Sequence, residues 1–591
     1  MNTPRRDLVD VAMGNVKADI AIEGGRLVNV LSSEVYAADV AIKGDRIAYL
    51  GDIEHTVGPE TKIVKATGKY LVPGLIDGHI HMYHSYMNAT QFARAALLHG
   101  TTAVADGFYG PGVVGGMRAI KFLLEEMKKT PLKLIFLVPT ISYLQNRELG
   151  LSPAPESLSP RELFEILDWP ECMGLEEPPY LPITDKDPIF LDLFQATLDR
   201  GKIITGHACG IDARGLNAYI ASGALTDHEA VKAEEAVEKA RVGTKILMRL
   251  GSGAIDVPEL AKAITEYHVD PRCFGFCADL AAPEKLIREG DIDENIRYAI
   301  GAGIDPITAI QIGTINVAEI FKVSHDMGCI APGRFADILF VDDLPKFKIS
   351  QVMASGEVVV QDGKTTMDLE QPKYPDWMYK TVRLKRPSVP DDFEVKTSRA
   401  AENAEVYVIG VTDGSLITEK RRARLKVKNS NVQPDLQRDI VKIAMVDRFL
   451  KTGAVGNGFV QGFNLRRGAY GMSVNAVCEN IVVAGSNTRD MSLVTNRIAD
   501  LGGGMVAASE SEVRAEAGLR LLGLLSDQPM EEFLEELDVF YKTVREFGCT
   551  LKYPISTLEF CCACGEIGVI KICDEGLLDV EKRKIIDVIA Q

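Results

Sequence analysis

The chain opens with short runs in which apolar and polar residues alternate. ADIAIEGGRLVNV, ADVAIKGDRIAYLG and KIVKATGKYLVPG follow one another between residues 18 and 74, separated by Gly, Asp and Lys. Alternation with a period of two is the pattern of short antiparallel strands with one buried face. Runs of the same kind return at ADILFVDDL (336–344) and QVMASGEVVVQDG (351–363). Two strand groups flanking a long insert predict one small β domain, assembled from residues 1–70 and 331–370.

The insert, residues 71–330, has a different rhythm. Short apolar runs (TTAVADG, LKLIFLVPT, KIITGHACG, TKILMRLGSG) alternate with longer helical stretches, among them one from about Gly115 to Lys129 and one through LNAYIASG. Strand, helix, strand over about 260 residues is the period and size of a (β/α)₈ barrel, a TIM barrel in the α/β class. An open doubly wound sheet is the competing architecture, but no G-x-G-x-x-G opens a helix after a first strand. Residues 371–400 (PKYPDWMYK, LKRPSVPDD) are rich in Pro, Lys and Asp and read as a surface linker. From 401 to 591, strands such as DIVKIAMV and NIVVAGS mix with helices such as MEEFLEELDVFYKTVREFG, which predicts a third, α/β or α+β, domain.

Composition narrows the task. The 591 residues carry a net charge of −17, with 46% apolar and 25% charged residues, the balance of a folded soluble protein. That charge argues against nucleic acid or an anionic membrane as the main partner, no basic run being read as a phosphate footprint, and so favours a small-molecule substrate. No stretch of 18 apolar residues predicts a membrane span, and no apolar segment follows Arg5 and Arg6 as an export signal would require. Eleven cysteines, an odd number, read as reduced thiols of a cytoplasmic protein. Cys561, Cys562 and Cys564 cluster, but only Cys573 is near enough to complete a metal site, so buried sulfur is the expectation.

Chemistry concentrates first at LVPGLIDGHIHMYHS (71–85), an apolar run ending in His79-Ile80-His81. Side chains at i and i+2 of a strand share a face, so both imidazoles can reach one metal ion. Further polar residues follow apolar runs where barrel strands would end: Glu176-Glu177, His207, His228 and Asp279. Taken singly, each has an ordinary structural explanation, as a core histidine, a helix cap or a solvated acid. Together, imidazoles and carboxylates converging on one rim can hold two divalent ions bridged by a carboxylate.

In PGLIDGHIH, FARAALLHGTTAVAD, GHACGIDARGLNAYIASGALTDHEA, EGDIDENIRYAIGAGIDPITAIQIGTINVAEIF, GCIAPGRFADILFVDDL and, near the C-terminus, NGFVQGFNLRRGAYGMSV and VTNRIADLGGGMV, the chain resembles the adenine deaminase family of the amidohydrolase superfamily. The resemblance implies a composite β-sandwich, a metal-dependent (β/α)₈ barrel and an appended C-terminal domain closing over the active site, with two divalent metal ions, Zn, Mn or Fe. His79 and His81 would bind the first, His207 and His228 the second, and Glu177 rather than Glu176 would bridge them. Asp279 would bind the first ion and shuttle protons, with Glu177 and Asp279 as the catalytic carboxylates. The implied reaction is hydrolysis of adenine to hypoxanthine and ammonia, and the implied assembly is a homo-oligomer, a dimer or larger.

Several positions depart from the family pattern. HIHMYHS stands where members typically read HIHIESS, Asp106-Gly107-Phe108-Tyr109 where they carry a PHE segment, and Asn475 to Asn480 where they carry HDSHN. The second aspartate of a usual T-D-D is Leu280, and all nine histidines lie at or before His325. Tyr83, His84, Phe108, Tyr109 and Glu479 are therefore the candidate substrate-binding replacements. Changed polar groups in a hydrogen-bonding site point to a changed substrate, so ring opening of an oxopurine or other imide or hydantoin-like heterocycle is the alternative reaction. A non-catalytic relative is a third reading, opposed by the intact ligand positions.

Overall fold

The structure is a computed structural model that describes residues 3–397, 402–413, 415, 417–563 and 568–590. All elements below are counted among these residues.

Eight parallel strands form the centre. We label them β1 (Leu75–Asp77), β2 (Thr101–Asp106), β3 (Lys133–Pro139), β4 (Cys172–Glu176), β5 (Ile203–Ile204), β6 (Thr226–Asp227), β7 (Lys245–Arg249) and β8 (Phe274–Cys277). β1 to β5 form one sheet and β6 to β8 another, and backbone hydrogen bonds join them into a barrel. Leu225 N–H donates to Ile204 O at 2.9 Å on one seam, and Gly78 N–H donates to Phe276 O at 3.0 Å on the other. Ile76, Ala103, Ala105, Ile135, Leu137, Ile203, Leu247 and Cys277 point inward and pack on one another. Val317 and Ile320, on the helix Ile315–Ile320, extend that interior packing. The helix predicted from Gly115 starts earlier, spanning Tyr109–Met127 with a kink at Gly116.

The flanking strands make two sheets, of four and seven strands. Tyr70–Pro73 pairs antiparallel with Ile338–Asp343, which ties both ends of the insert into one sheet. Ile22, Val40, Ile42, Leu71, Ile338 and Phe340 fill the space between the sheets. Not every pairing is antiparallel, as alternation alone had suggested: Ile20–Glu23 runs parallel to Lys62–Lys65, and Arg26–Asn29 to Tyr70–Pro73. Period two reports a half-buried face and is silent on strand direction.

Beyond residue 402 a nine-stranded sheet carries the helix Thr488–Leu501 on one face and Met530–Glu546 and Pro554–Glu559 elsewhere. The segment read as a surface linker is mostly exposed or partly exposed and is pinned at points: Met378 and Phe393 are fully buried, and Tyr374 Oη donates to Glu126 Oε1 at 3.1 Å. The strand Glu419–Lys428, EKRRARLKVK, is a basic run that the charge argument passed over. Its charges lie near a sheet edge, where they also discourage pairing with another chain. No helix among the described residues is long and apolar enough to cross a membrane.

Candidate metal centre

The C-terminal ends of the barrel strands supply the site. His79 and His81 follow β1, Glu177 follows β4, His207 follows β5, His228 follows β6 and Asp279 follows β8. Backbone bonds across the β1–β8 seam fix the first and last of these, with Asp279 N–H donating to His79 O at 2.9 Å and His81 N–H to Asp279 O at 2.8 Å. Asp77, at the end of β1, accepts from the N–H of His79 (3.0 Å) and of Ala278 (3.2 Å), fastening the seam from below.

Glu177 is the hub. Its Oε2 lies 3.4 Å from His79 Nε2, 3.5 Å from His207 Nδ1 and 3.4 Å from His228 Nε2, and its Oε1 lies 3.1 Å from His81 Nε2. Asp279 Oδ1 is 3.7 Å from His79 Nε2 and 3.5 Å from His81 Nε2. His79, His81 and Glu177 form one group whose donor atoms all lie within 4.8 Å; His79, His228 and Asp279 form a second, and Glu177, His207 and His228 a third. All six residues predicted from sequence therefore converge. Glu177 and Asp279 are also held at positive φ, 33° and 63°, a backbone region that non-glycine residues enter at a cost and keep mainly where function requires it.

The electrostatics suit a cation. Burial and the neighbouring His228 push the His79 imidazole down to about 4. Burial also disfavours charge on His81, but Glu177, by charge and hydrogen bond, outweighs it and raises His81 to about 10. Glu177 is held well below the usual carboxylate range despite its burial, because His81 and His79 face it. His79 Nε2 is buried without a hydrogen-bond partner among the described residues, as an atom reserved for a ligand would be. Nitrogen and carboxylate donors in this number fit divalent first-row cations.

Sequence reasoning missed the groups that hold this set from outside. Arg249, at the end of β7, donates from Nη1 to Glu229 Oε1 (2.6 Å) and Asp279 Oδ2 (3.0 Å), and from Nε to Asp256 Oδ2 (3.0 Å). Glu229 in turn lies 3.3 Å from His228 Nε2. Burial opposes ionisation of Asp279, yet Arg249 and His228 hold its carboxyl below the ordinary range. The available signals were faint: an arginine ending the apolar run KILM and a glutamate beside His228. Glu176 turns away from the hub. Its Oε1 accepts from Gly107 N–H at 2.6 Å, and with His81 and Asp106 it makes a fourth group of possible ligands. A Cβ at residue 107 would sit 2.7 Å from Glu176 Oε2, which is why glycine stands there.

The candidate substrate residues divide. Tyr109 packs edge-on against His81 at 4.6 Å and against Tyr83 at 5.0 Å. His84 Nε2 lies 3.3 Å from Tyr109 Oη, and its Nδ1 lies 3.1 Å from Glu559 Oε1 in the helix Pro554–Glu559. A Cβ at Gly110 would strike the Tyr83 ring at 2.6 Å, so this glycine admits the tyrosine. Glu479, readable from sequence as a surface acid, is fully buried and faces Tyr83 and Arg448. Phe108 goes elsewhere: its ring packs on Phe136, 6.1 Å away, and Phe136 stacks on Trp169 outside the barrel. Alternation of side chains along β3 sends Phe136 outward between the inward Ile135 and Leu137, and Phe108 follows it. Cys561 and Cys562 are buried, with Sγ to the carbonyls of Thr557 and Leu558. Cys564 lies outside the described residues.

Comparison with known proteins agrees with this geometry. Residues 70–359 match the amidohydrolase family, and residues 415–584 match the adenine deaminase C-terminal domain. An adenine deaminase of Moorella thermoacetica is 37% identical over 99% of this chain and 98% of its own length. The chain belongs to the adenine deaminase family. Other members include an adenine deaminase of Clostridium botulinum, 34% identical over 99% of this chain and 98% of that protein, and adenine deaminase 3 of Rhizobium meliloti, 36% identical over the same shares. The family and the His, Glu and Asp cluster together point to a divalent metal.

Proposed function

We propose that this member of the adenine deaminase family catalyses adenine + water → hypoxanthine + ammonia. The convergence of His79, His81, Glu177, His207, His228 and Asp279 on one rim, in a chain related to adenine deaminases along its whole length, carries the reading. His79, His81 and Asp279 would hold one divalent ion, His207 and His228 a second, and Glu177 would lie between them. Zn, Mn and Fe all accept this donor set. Such ions, when bound, supply an activated water for attack on the ring carbon that carries the amino group.

The chain's own groups do the rest. Arg249 engages Asp279 Oδ2 and leaves Oδ1 as the atom that takes a proton from water and gives it to the departing nitrogen. Tyr83, Tyr109 and His84, joined to Glu479 and Glu559, would wall the heterocycle and keep water out. The same wall departs from the family pattern, so ring opening of an oxopurine-like ring is the reading to separate from deamination. We further propose that the enzyme acts in the cytoplasm as a homo-oligomer, a state that sedimentation would report.

The test is ammonia release. Metal-loaded protein incubated with adenine is expected to yield hypoxanthine and one ammonia per turnover. His79→Ala and Asp279→Ala are each expected to lower kcat by about 10³-fold or more. A product that keeps every nitrogen of the substrate would overturn deamination, and full activity in either variant would overturn the site.

A further inference from the structure

Next to the metal centre lies a knot of buried polar atoms to which the mechanism above gives no hydrogen-bonding role. Arg448, Glu479 and Asn475 of the C-terminal domain are all fully buried, and Tyr83 is 1% exposed. Among the described residues, Arg448 Nε and Nη2, Glu479 Oε1, Asn475 Oδ1 and Tyr83 Oη have no hydrogen-bond partner. Arg448 makes one long bond, Nη1 to Gly523 O at 3.5 Å. A buried polar group left unmatched bears the cost of its lost hydration with nothing to offset it. Five such atoms in one place are a site awaiting a polar occupant.

Its position indicates which occupant. Tyr83 lies two residues past His81, and both rings contact Tyr109, at 5.0 and 4.6 Å, and His84, at 4.1 and 6.1 Å. Tyr109 feels the charge of Glu479 and also of Glu177 and Asp279, so the knot and the metal ligands are neighbours of the same aromatic ring. The turn that presents Glu479 is strained: Val477 and Glu479 hold φ of 70° and 54°, and a β-branched residue at positive φ is rare outside functional turns.

The donor and acceptor types complete the argument. A guanidinium only donates, whereas a carboxyl oxygen accepts whether the acid is ionised or neutral. Within reach of each other's charge, they match a ring edge on which an unprotonated nitrogen neighbours an N–H. Free adenine presents that arrangement at N3 and N9–H, across the bicycle from the reacting C6. Building on the proposed deamination, we propose that Arg448 and Glu479 are substrate-binding residues that read this edge, Arg448 donating to N3 and Glu479 accepting from N9–H. A nucleoside has lost that N–H and places its sugar against Glu479, so the site selects the free base.

Steady-state ammonia release by the intact metal-loaded protein tests this with adenine, 3-deazaadenine and 9-methyladenine. The wild type is expected to lose about tenfold or more in kcat/KM on 3-deazaadenine, and more again on 9-methyladenine. In Arg448→Met, the ratio of adenine to 3-deazaadenine should collapse toward one, because the group that distinguishes them is gone. Glu479→Gln should likewise narrow the gap between adenine and 9-methyladenine. Should either variant fail to fold, the wild-type analogue series still decides. Equal turnover of adenine and 3-deazaadenine by the wild type would overturn this inference alone. No ammonia from adenine would overturn the deaminase reading and this inference with it.

Discussion

Glu479 has been removed from water and set beside Arg448, Tyr83 and the Asn475 N–H, with Glu559 adding negative charge nearby. Burial dominates, and the carboxyl is pushed up to about 8 against an ordinary value near 4.5. Between these pH values the folded protein keeps a proton that the unfolded chain releases. Stability tied to this group is complete below pH 4.5 and is lost as pH rises through 8, by at most about 5 kcal/mol. Glu479→Gln removes the titration while keeping the shape. Urea midpoints of the ligand-free protein should therefore fall more steeply for the wild type than for the variant between pH 5 and pH 9; parallel curves would contradict the burial argument. Nothing in the local sequence NAVCENIVV distinguishes such an acid from one in water, because burial is decided by what the barrel brings against it. The histidines were readable for the opposite reason: His79 and His81 announce themselves by a spacing that a strand converts into a shared face.

At the level of elements, apolar runs revealed the barrel strands, and residues just past five of those strands gather at one rim. What could not be read was the cross-talk between distant elements. His84, beyond β1, meets Glu559 on a helix 475 residues later in the chain, and no pattern within either segment records that meeting. Both side chains are 2% exposed, so the pair is a hydrogen bond shielded from solvent, and removing one partner strands the other. Glu559→Leu and His84→Leu are each expected to destabilise by about 1 to 3 kcal/mol. The double variant should cost less than the sum, with a coupling of about 1 kcal/mol or more in urea unfolding. Strict additivity would mean that the contact does not hold the helix to the barrel. Arg249 escaped notice in the same way: its partners Glu229, Asp256 and Asp279 come from three different loops, and only the closed barrel assembles them.

For the molecule as a whole, the decisive feature is that one apolar core runs from the barrel into the C-terminal domain. Leu97, Ile120 and Tyr83 belong to the same packed cluster as Val474, Leu521, Phe540 and Ile572. The composite sandwich keeps a further core between its two sheets, while Val28, Val72, Leu339 and Val352 of its seven-stranded sheet join the shared cluster. Barrel and C-terminal domain should accordingly unfold together, since neither can open without exposing the other's buried face. Metal binding then gains a wide reach. A cation that binds only the folded rim adds RT ln(1 + [L]/Kd), about 4 kcal/mol at a thousandfold excess over Kd, and the shared core spreads that gain over both units. Calorimetry of the metal-loaded protein should show barrel and C-terminal domain melting in one transition, and chelation should lower its midpoint by several degrees. His79→Ala, which lacks a ligand for the cation, should already melt at the lower temperature and respond little to chelator. If chelation moved only part of the transition and left a C-terminal portion where it was, the two units would be thermodynamically separate, and Glu479 and Glu559 would be carried on a domain free to swing away from the metal centre.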